Sequence, residues 1–152
     1  FKGTLFWALI INKTIHKIMT KQFLITTGLM GALSVIMGVV GAHILEGNIS
    51  VNHMGLFNTA NQFVMFHALA LLALTFMNRY VKRSYTTTIY YLFVIGIALF
   101  SGTLYISSLK ELTGFGPSIL SKLVPVGGLL LIAGWIAIVM SGVNYNHKKR
   151  RS

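Results

Sequence analysis

Two histidines, His43 and His67, stand inside long apolar stretches of this sequence. Imidazole titrates near neutral pH and ligates metals, so a histidine in such surroundings is a candidate for proton handling or ligand binding. Other polar groups recur nearby at helical spacing. Asn58, Asn61 and Gln62 share one helical face, Ser101, Tyr105 and Ser108 share another at i, i+4 and i+7, and Glu46 follows His43. Such groups would form either a shallow polar pocket or a hydrogen-bond network fixing helices to one another. The network is the simpler reading.

The elements that position these residues are four apolar runs, at about residues 23–45, 57–77, 88–109 and 123–143. Each matches the roughly 20 helical residues needed to cross a bilayer. The runs are continuously apolar, without the in/out alternation of a barrel strand. Helices also satisfy their own backbone hydrogen bonds in lipid. The fold expected is all-α, an integral membrane four-helix bundle, with an additional N-terminal interfacial amphipathic helix. Residues 1–21 would be that interfacial segment, 22–145 the membrane domain and 146–152 a basic tail. No repeat relates the two halves, so an inverted-repeat transporter is not supported.

Composition agrees. The chain has 152 residues, 55% hydrophobic and 10% charged, with a mean hydropathy of +0.73. Soluble domains carry about 25% charged residues. Cysteine is absent, so disulfides, thiolate metal sites and cysteine nucleophiles are excluded; aspartate is absent too, and Glu46 and Glu111 are the two acids. The net charge of +11 does not point to nucleic acid, because the basic residues sit in short clusters flanking apolar runs. Lys2, Lys13, Lys17, Lys21, Arg79, Lys82, Arg83, Lys148, Lys149, Arg150 and Arg151 fall on one side of the four spans. Lys110, Lys122 and both glutamates fall on the other. The positive-inside rule then places both termini and the middle connection in the cytoplasm.

Residues 5–11 are apolar but too short to span. Trp7, Ile11, Ile15 and Ile18 fall on one helical face opposite Lys13, His16 and Lys17, the pattern of a helix lying on a leaflet. No small-residue cleavage site follows, so a secretory signal is disfavoured. Met19-Thr20-Lys21 reads as an ordinary protein start, with residues 1–18 as an extension before it. Lys13 and Lys17, with Lys148, Lys149, Arg150 and Arg151 of the tail, are the expected contacts to anionic headgroups.

Lipid offers no hydrophobic drive for helix association, so small residues that let backbones approach supply much of it. Gly31, Ser34, Gly38 and Gly41 form a small face on the first span, Gly127, Gly134, Ala137 and Ser141 on the fourth, and the third carries Ala98 and Gly102. These are read as packing surfaces in preference to a pore lining.

His67 shares a helical side with Ala60, Phe63 and Ala70, and a histidine on such a face reads first as interhelical hydrogen-bond glue. Proton handling is the alternative. At about 1.5 Å per residue, His67 and His43 differ in depth by about 12 Å. Bis-histidine haem needs its two nitrogens about 4 Å apart, twice a metal–nitrogen bond of about 2 Å, so haem between them is disfavoured within one chain. Trp135, about 12 Å inside its span, reads as core more than as an interface anchor. Gly114-Phe115-Gly116-Pro117 is a turn. No carboxylate pair, serine elbow or metal-ligand spacing is visible, so no enzyme, cofactor or metal is expected.

Four blocks resemble a known family. They are Gly41-Ala42-His43; Thr59-Ala60 through His67-Ala68-Leu69-Ala70-Leu71; Gly96 with Phe100-Ser101-Gly102-Thr103-Leu104-Tyr105; and Pro125-Val126-Gly127-Gly128 with Gly134-Trp135. In this order they resemble the small bacterial inner-membrane proteins of the YgdD/YwdK domain-of-unknown-function family, which has eukaryotic relatives. The likeness covers about residues 22–143. It departs at Phe63, Val64 and Phe66, where the family tends to carry tyrosine and glutamine, which removes polar groups near His67. The resemblance implies a four-helix protein of a bacterial inner membrane and implies no activity. The functional expectation is a structural or accessory subunit of a larger membrane protein complex, bound by lipid and other membrane subunits. A small channel or transporter for protons or a small solute is the rival.

Overall fold

The computed structural model describes residues 2–78, 80–116 and 119–145, with residues 2–18 and 119–121 described as backbone alone. Helix α1 runs over Lys2–Val40 and closes in a π-helical turn at Gly41–Leu45. Then come α2 (Val51–Met77), α3 (Arg83–Ser108), the single turn α4 (Lys110–Thr113) and α5 (Ile119–Val143). Four stretches are long and apolar enough to cross a membrane: Met19–Leu45, Val51–Met77, Arg83–Ser108 and Lys122–Val143. No strand occurs among the described residues.

The spans sit where the apolar runs predict, with different edges. α2 starts at Val51 because Ser50 caps it, its side chain accepting from the His53 backbone N–H. The polar Asn52 and His53 lower local hydropathy without breaking the helix. α3 starts at Arg83 for a similar reason: its first turns are hydroxyl-rich yet helical. Pro125 lies inside α5.

The segment 1–21 is not set off from the first span by a break. The backbone of α1 is one helix of 39 residues, about 58 Å long at 1.5 Å per residue. The physical reason is local: no proline occurs in it and no glycine falls between Gly3 and Gly28, so nothing interrupts the ladder. The side chains of Lys13 and Lys17 lie outside the described residues, as do the tail residues Lys148, Lys149, Arg150 and Arg151.

α3 is the centre of the bundle. It packs against α2 on one side and α5 on the other, and α1 packs against α2. α1 and α5 are not a close-packed pair among the described residues. The second and third spans are accordingly the more buried, while the first and fourth face mainly outward. Ile36, Phe66, Leu129 and Val139 are among the large apolar side chains on the outer surface, where lipid would lie. The core runs through Phe23, Phe57, Leu71, Ile89 and Phe93.

Close approach at the α3–α5 contact depends on glycine. A Cβ on Gly127 would stand 2.5 Å from the Phe100 backbone nitrogen and 2.9 Å from the Gly96 carbonyl oxygen. Backbone cannot swing aside as a side chain can, so this pair of helices is set by the missing Cβ.

Candidate functional site

Among the described residues, three polar clusters bear on the candidate site, and each ties elements together. The first centres on His67, which is buried. Its Nδ1 lies 2.9 Å from the Phe63 carbonyl oxygen one turn back on α2. Its Nε2 lies 3.3 Å from the indole Nε1 of Trp135 on α5. A carbonyl only accepts and an indole N–H only donates, so the pair of bonds requires the neutral imidazole with its proton on Nδ1. Aromatic rings enclose it. Phe93 meets the imidazole edge-on at 4.9 Å between centroids, and Phe63 lies at 5.9 Å. Gly134 makes room beside them, since a Cβ there would stand 2.5 Å from the Phe93 ring. His67 is thus a fully used hydrogen-bonding group between α2 and α5.

The second cluster joins α1, α2 and α3 at Asn61. Its Oδ1 accepts from Ser34 Oγ at 2.9 Å and from the Tyr105 hydroxyl at 2.9 Å. Ser34 Oγ also lies 3.2 Å from the Asn61 carbonyl oxygen. Phe57 meets the Tyr105 ring edge-on at 5.1 Å. Gly38 and Gly41 bring α1 close: a Cβ on Gly38 would lie 3.5 Å from Asn61 Nδ2, and one on Gly41 would lie 2.9 Å from the Phe57 ring. One turn before Tyr105, the Ser101 hydroxyl is buried without a hydrogen-bond partner, as is that of Thr27 on α1. Ser108 Oγ donates to the Tyr105 carbonyl at 2.7 Å.

The polar residues read as one cluster, a network in preference to a pocket, are only partly brought together. Asn61 and Tyr105 come together, Ser101 and Ser108 are buried beside them, and His43, Glu46, Asn58 and Gln62 face outward. The π turn helps explain His43 and Glu46. The Glu46 N–H bonds to the Gly41 carbonyl at 3.0 Å, an i→i+5 bond that rotates the following residues off the α-helical register. Among the glycines expected to pack, Gly38, Gly41, Gly127 and Gly134 do so, while Gly31 and Gly102 have nothing within 4 Å.

The third cluster escaped the sequence reading. His53 Nδ1 lies 2.7 Å from Glu111 Oε1 and 2.9 Å from Ser50 Oγ. The Ser50 N–H donates to Glu111 Oε2 at 2.7 Å. The Ser50 bonds and the nearby His53 imidazole hold the Glu111 carboxyl below its usual range. Serine, histidine and a carboxylate here do not form a nucleophile triad. A triad uses one ring nitrogen for the hydroxyl and the other for the acid, and here both converge on Nδ1. The cluster instead clips α4 to the start of α2. The available signal was that both acids and His53 fall at the same end of the spans.

The family described as protein of unknown function (DUF423) matches residues 37–128. The chain is 37% identical over 126 residues to the UPF0382 membrane protein YwdK of Bacillus subtilis, covering 82% of this chain and 98% of that one. It is 35% identical over 121 residues to the UPF0382 membrane protein SH2409 of Staphylococcus haemolyticus, covering 80% and 94%. It is 31% identical over 132 residues to the UPF0382 inner membrane protein YgdD of Escherichia coli K12, covering 86% and 96%. No solved structure matches. The matched region takes in the π turn, Asn61, Tyr105 and His67, and with four helices able to cross a membrane the chain belongs to the DUF423 family of membrane proteins.

Proposed function

We propose that this protein is a non-catalytic structural or accessory subunit of a larger assembly in a bacterial inner membrane. One observation carries the reading. On α1, Gly28 and Gly31 face open space, with nothing within 4 Å of where a Cβ would stand. Ser34, Gly38 and Gly41 of the same helix are spent on α2. Small residues in a span let a neighbouring backbone approach, and a lipid chain makes no use of that. The occupant we assign to this strip is a membrane-spanning helix of a different subunit. Both termini and the α2–α3 turn would lie in the cytoplasm, by the distribution of Lys and Arg.

The channel reading has less to support it. His67, its main candidate, has both nitrogens engaged and aromatic rings against it. Unchanged proton flux in liposomes after His67→Ala is the expected result.

The test is the native size of the protein extracted in mild detergent. Wild type should migrate as a complex, and Gly28→Leu/Gly31→Leu should release a folded monomer. A wild-type monomer, or a complex indifferent to these substitutions, contradicts the proposal. A complex made of this chain alone would assign the strip to a second copy instead.

A further inference from the structure

We propose that the end of the bundle opposite the glutamates holds a binding site for the phosphate headgroup of an anionic glycerophospholipid. The site is a cavity of about 350 Å³ between the α2–α3 turn and the end of α5. Tyr80, Lys82 and Tyr85 line one side, and Ser141, Asn144 and Tyr145 the other. This inference does not depend on the subunit reading.

The walls are fixed by hydrogen bonds. Thr86 Oγ lies 3.0 Å from Asn78 Oδ1 and 3.0 Å from the Arg83 carbonyl, which holds the turn that presents Tyr80 and Lys82. Across the cavity, Asn144 Nδ2 donates to the Met140 carbonyl at 2.8 Å and to the Tyr85 hydroxyl oxygen at 3.0 Å. Because that oxygen accepts from Asn144, its own O–H is left to donate. Ser141 has spent its hydroxyl proton on the Ile138 carbonyl at 2.7 Å. The donors presented to a ligand include the Lys82 ammonium and the Tyr85 O–H, which suits an anion with several acceptor oxygens.

Charge balance supports the same ligand. Glu46 and Glu111 are the acids of the whole chain, and both fall at the opposite end of the spans. Neither glutamate lies at this end to neutralise Lys82 and Arg83, which leaves both open to an external anion. Basic pockets between spans are the usual place for anionic headgroups, worth about fivefold in affinity per basic residue. Tyrosine rings also favour this depth.

A lipid is assigned in preference to free phosphate because an apolar groove lies deeper on the same two helices. It has a volume of about 290 Å³, and Thr88, Leu92, Ile95 and Leu130 line it. From Tyr85 to Leu92 is seven residues, about 10 Å along α3. Headgroup and acyl chain thus find their own surfaces in the order a lipid presents them.

The experiment is native mass spectrometry of the full chain in non-ionic detergent. It is titrated with phosphatidylglycerol or with phosphatidylcholine of matched acyl chains. One phosphatidylglycerol should be retained, preferred by about fivefold or more. Lys82→Gln should erase the preference, Lys82→Arg should keep it, and Tyr85→Phe should weaken it. Lys82 is exposed, so the melting temperatures of its two variants should match that of wild type. Neutralising Lys148, Lys149, Arg150 and Arg151 together should leave the bound lipid in place. Equal retention of the two lipids, indifference to Lys82→Gln, or loss only on neutralising the tail overturns the proposal. Binding of glycerol phosphate as tight as that of the lipid would assign the site to a soluble phosphate and overturn the lipid source.

Discussion

Trp135 donates its indole N–H to Nε2 of His67, 68 residues earlier in the chain, at 3.3 Å. The bond fixes the imidazole as a neutral acceptor toward α5 while Nδ1–H is held by α2's own carbonyl. Removing the donor leaves a buried acceptor without a partner. Trp135→Phe should therefore destabilise the protein by about 1 kcal/mol, the usual scale for a hydrogen bond between spans. Reversible unfolding in mixed micelles would measure it. His67→Ala should cost more, about 2 kcal/mol or above, because the surrounding Phe63 and Phe93 rings lose contacts as well.

Asn61 Oδ1 serves two donors from two different helices. Ser34→Ala and Tyr105→Phe should each cost about 0.6–1.5 kcal/mol. The double variant should depart from the sum, because both donors share one acceptor. A double-mutant cycle on the same unfolding assay reads the coupling. Strict additivity would mean that the two bonds act separately.

Glycine substitutions should divide by what a Cβ would meet. Gly127→Ala meets backbone of Phe100 and Gly96 and should cost about 1–3 kcal/mol through forced separation of α3 and α5. Gly102→Ala meets nothing within 4 Å and should leave the isolated protein's stability unchanged or slightly raised. Melting temperatures in detergent distinguish the two.

Glu111 predicts an acid-sensitive clip. Its carboxyl is lowered in the folded protein, first by the Ser50 bonds and then by His53. A lowered folded value means the contribution is present above the ordinary carboxylate value of about 4.3 and is lost as pH falls through the folded value. Wild type should therefore melt above Glu111→Gln at neutral pH, and the two should converge below about pH 4. A difference that persists in acid would show that the carboxylate charge is not its source.

The spans and their order were legible because hydropathy depends on composition alone, and Gly127 and Gly134 were legible because small residues on a span have one common use. Partner choice was less so. Asn61 and Tyr105 were each visible as polar residues on a helical face, but Ser34 was read as part of a small face. The Trp135 bond needs the rotation of α5, which no periodicity supplies in a helix apolar all round. His53 and Glu111 lie in or beside connectors, and their meeting depends on how two turns fold over one end. The π turn at Gly41 has no residue signature separating an i→i+5 bond from an i→i+4 bond. The uninterrupted α1 follows from the lack of a breaker between Gly3 and Gly28, which an amphipathicity argument does not weigh.

The subunit reading is tested most directly by affinity capture from native membranes in mild detergent. Wild type and Gly28→Leu/Gly31→Leu are compared side by side by quantitative mass spectrometry. One membrane protein should be recovered in fixed stoichiometry with wild type and lost with the variant, while the variant keeps its own melting temperature. Recovery of no stoichiometric partner, or of a partner that the variant retains in full, would contradict it.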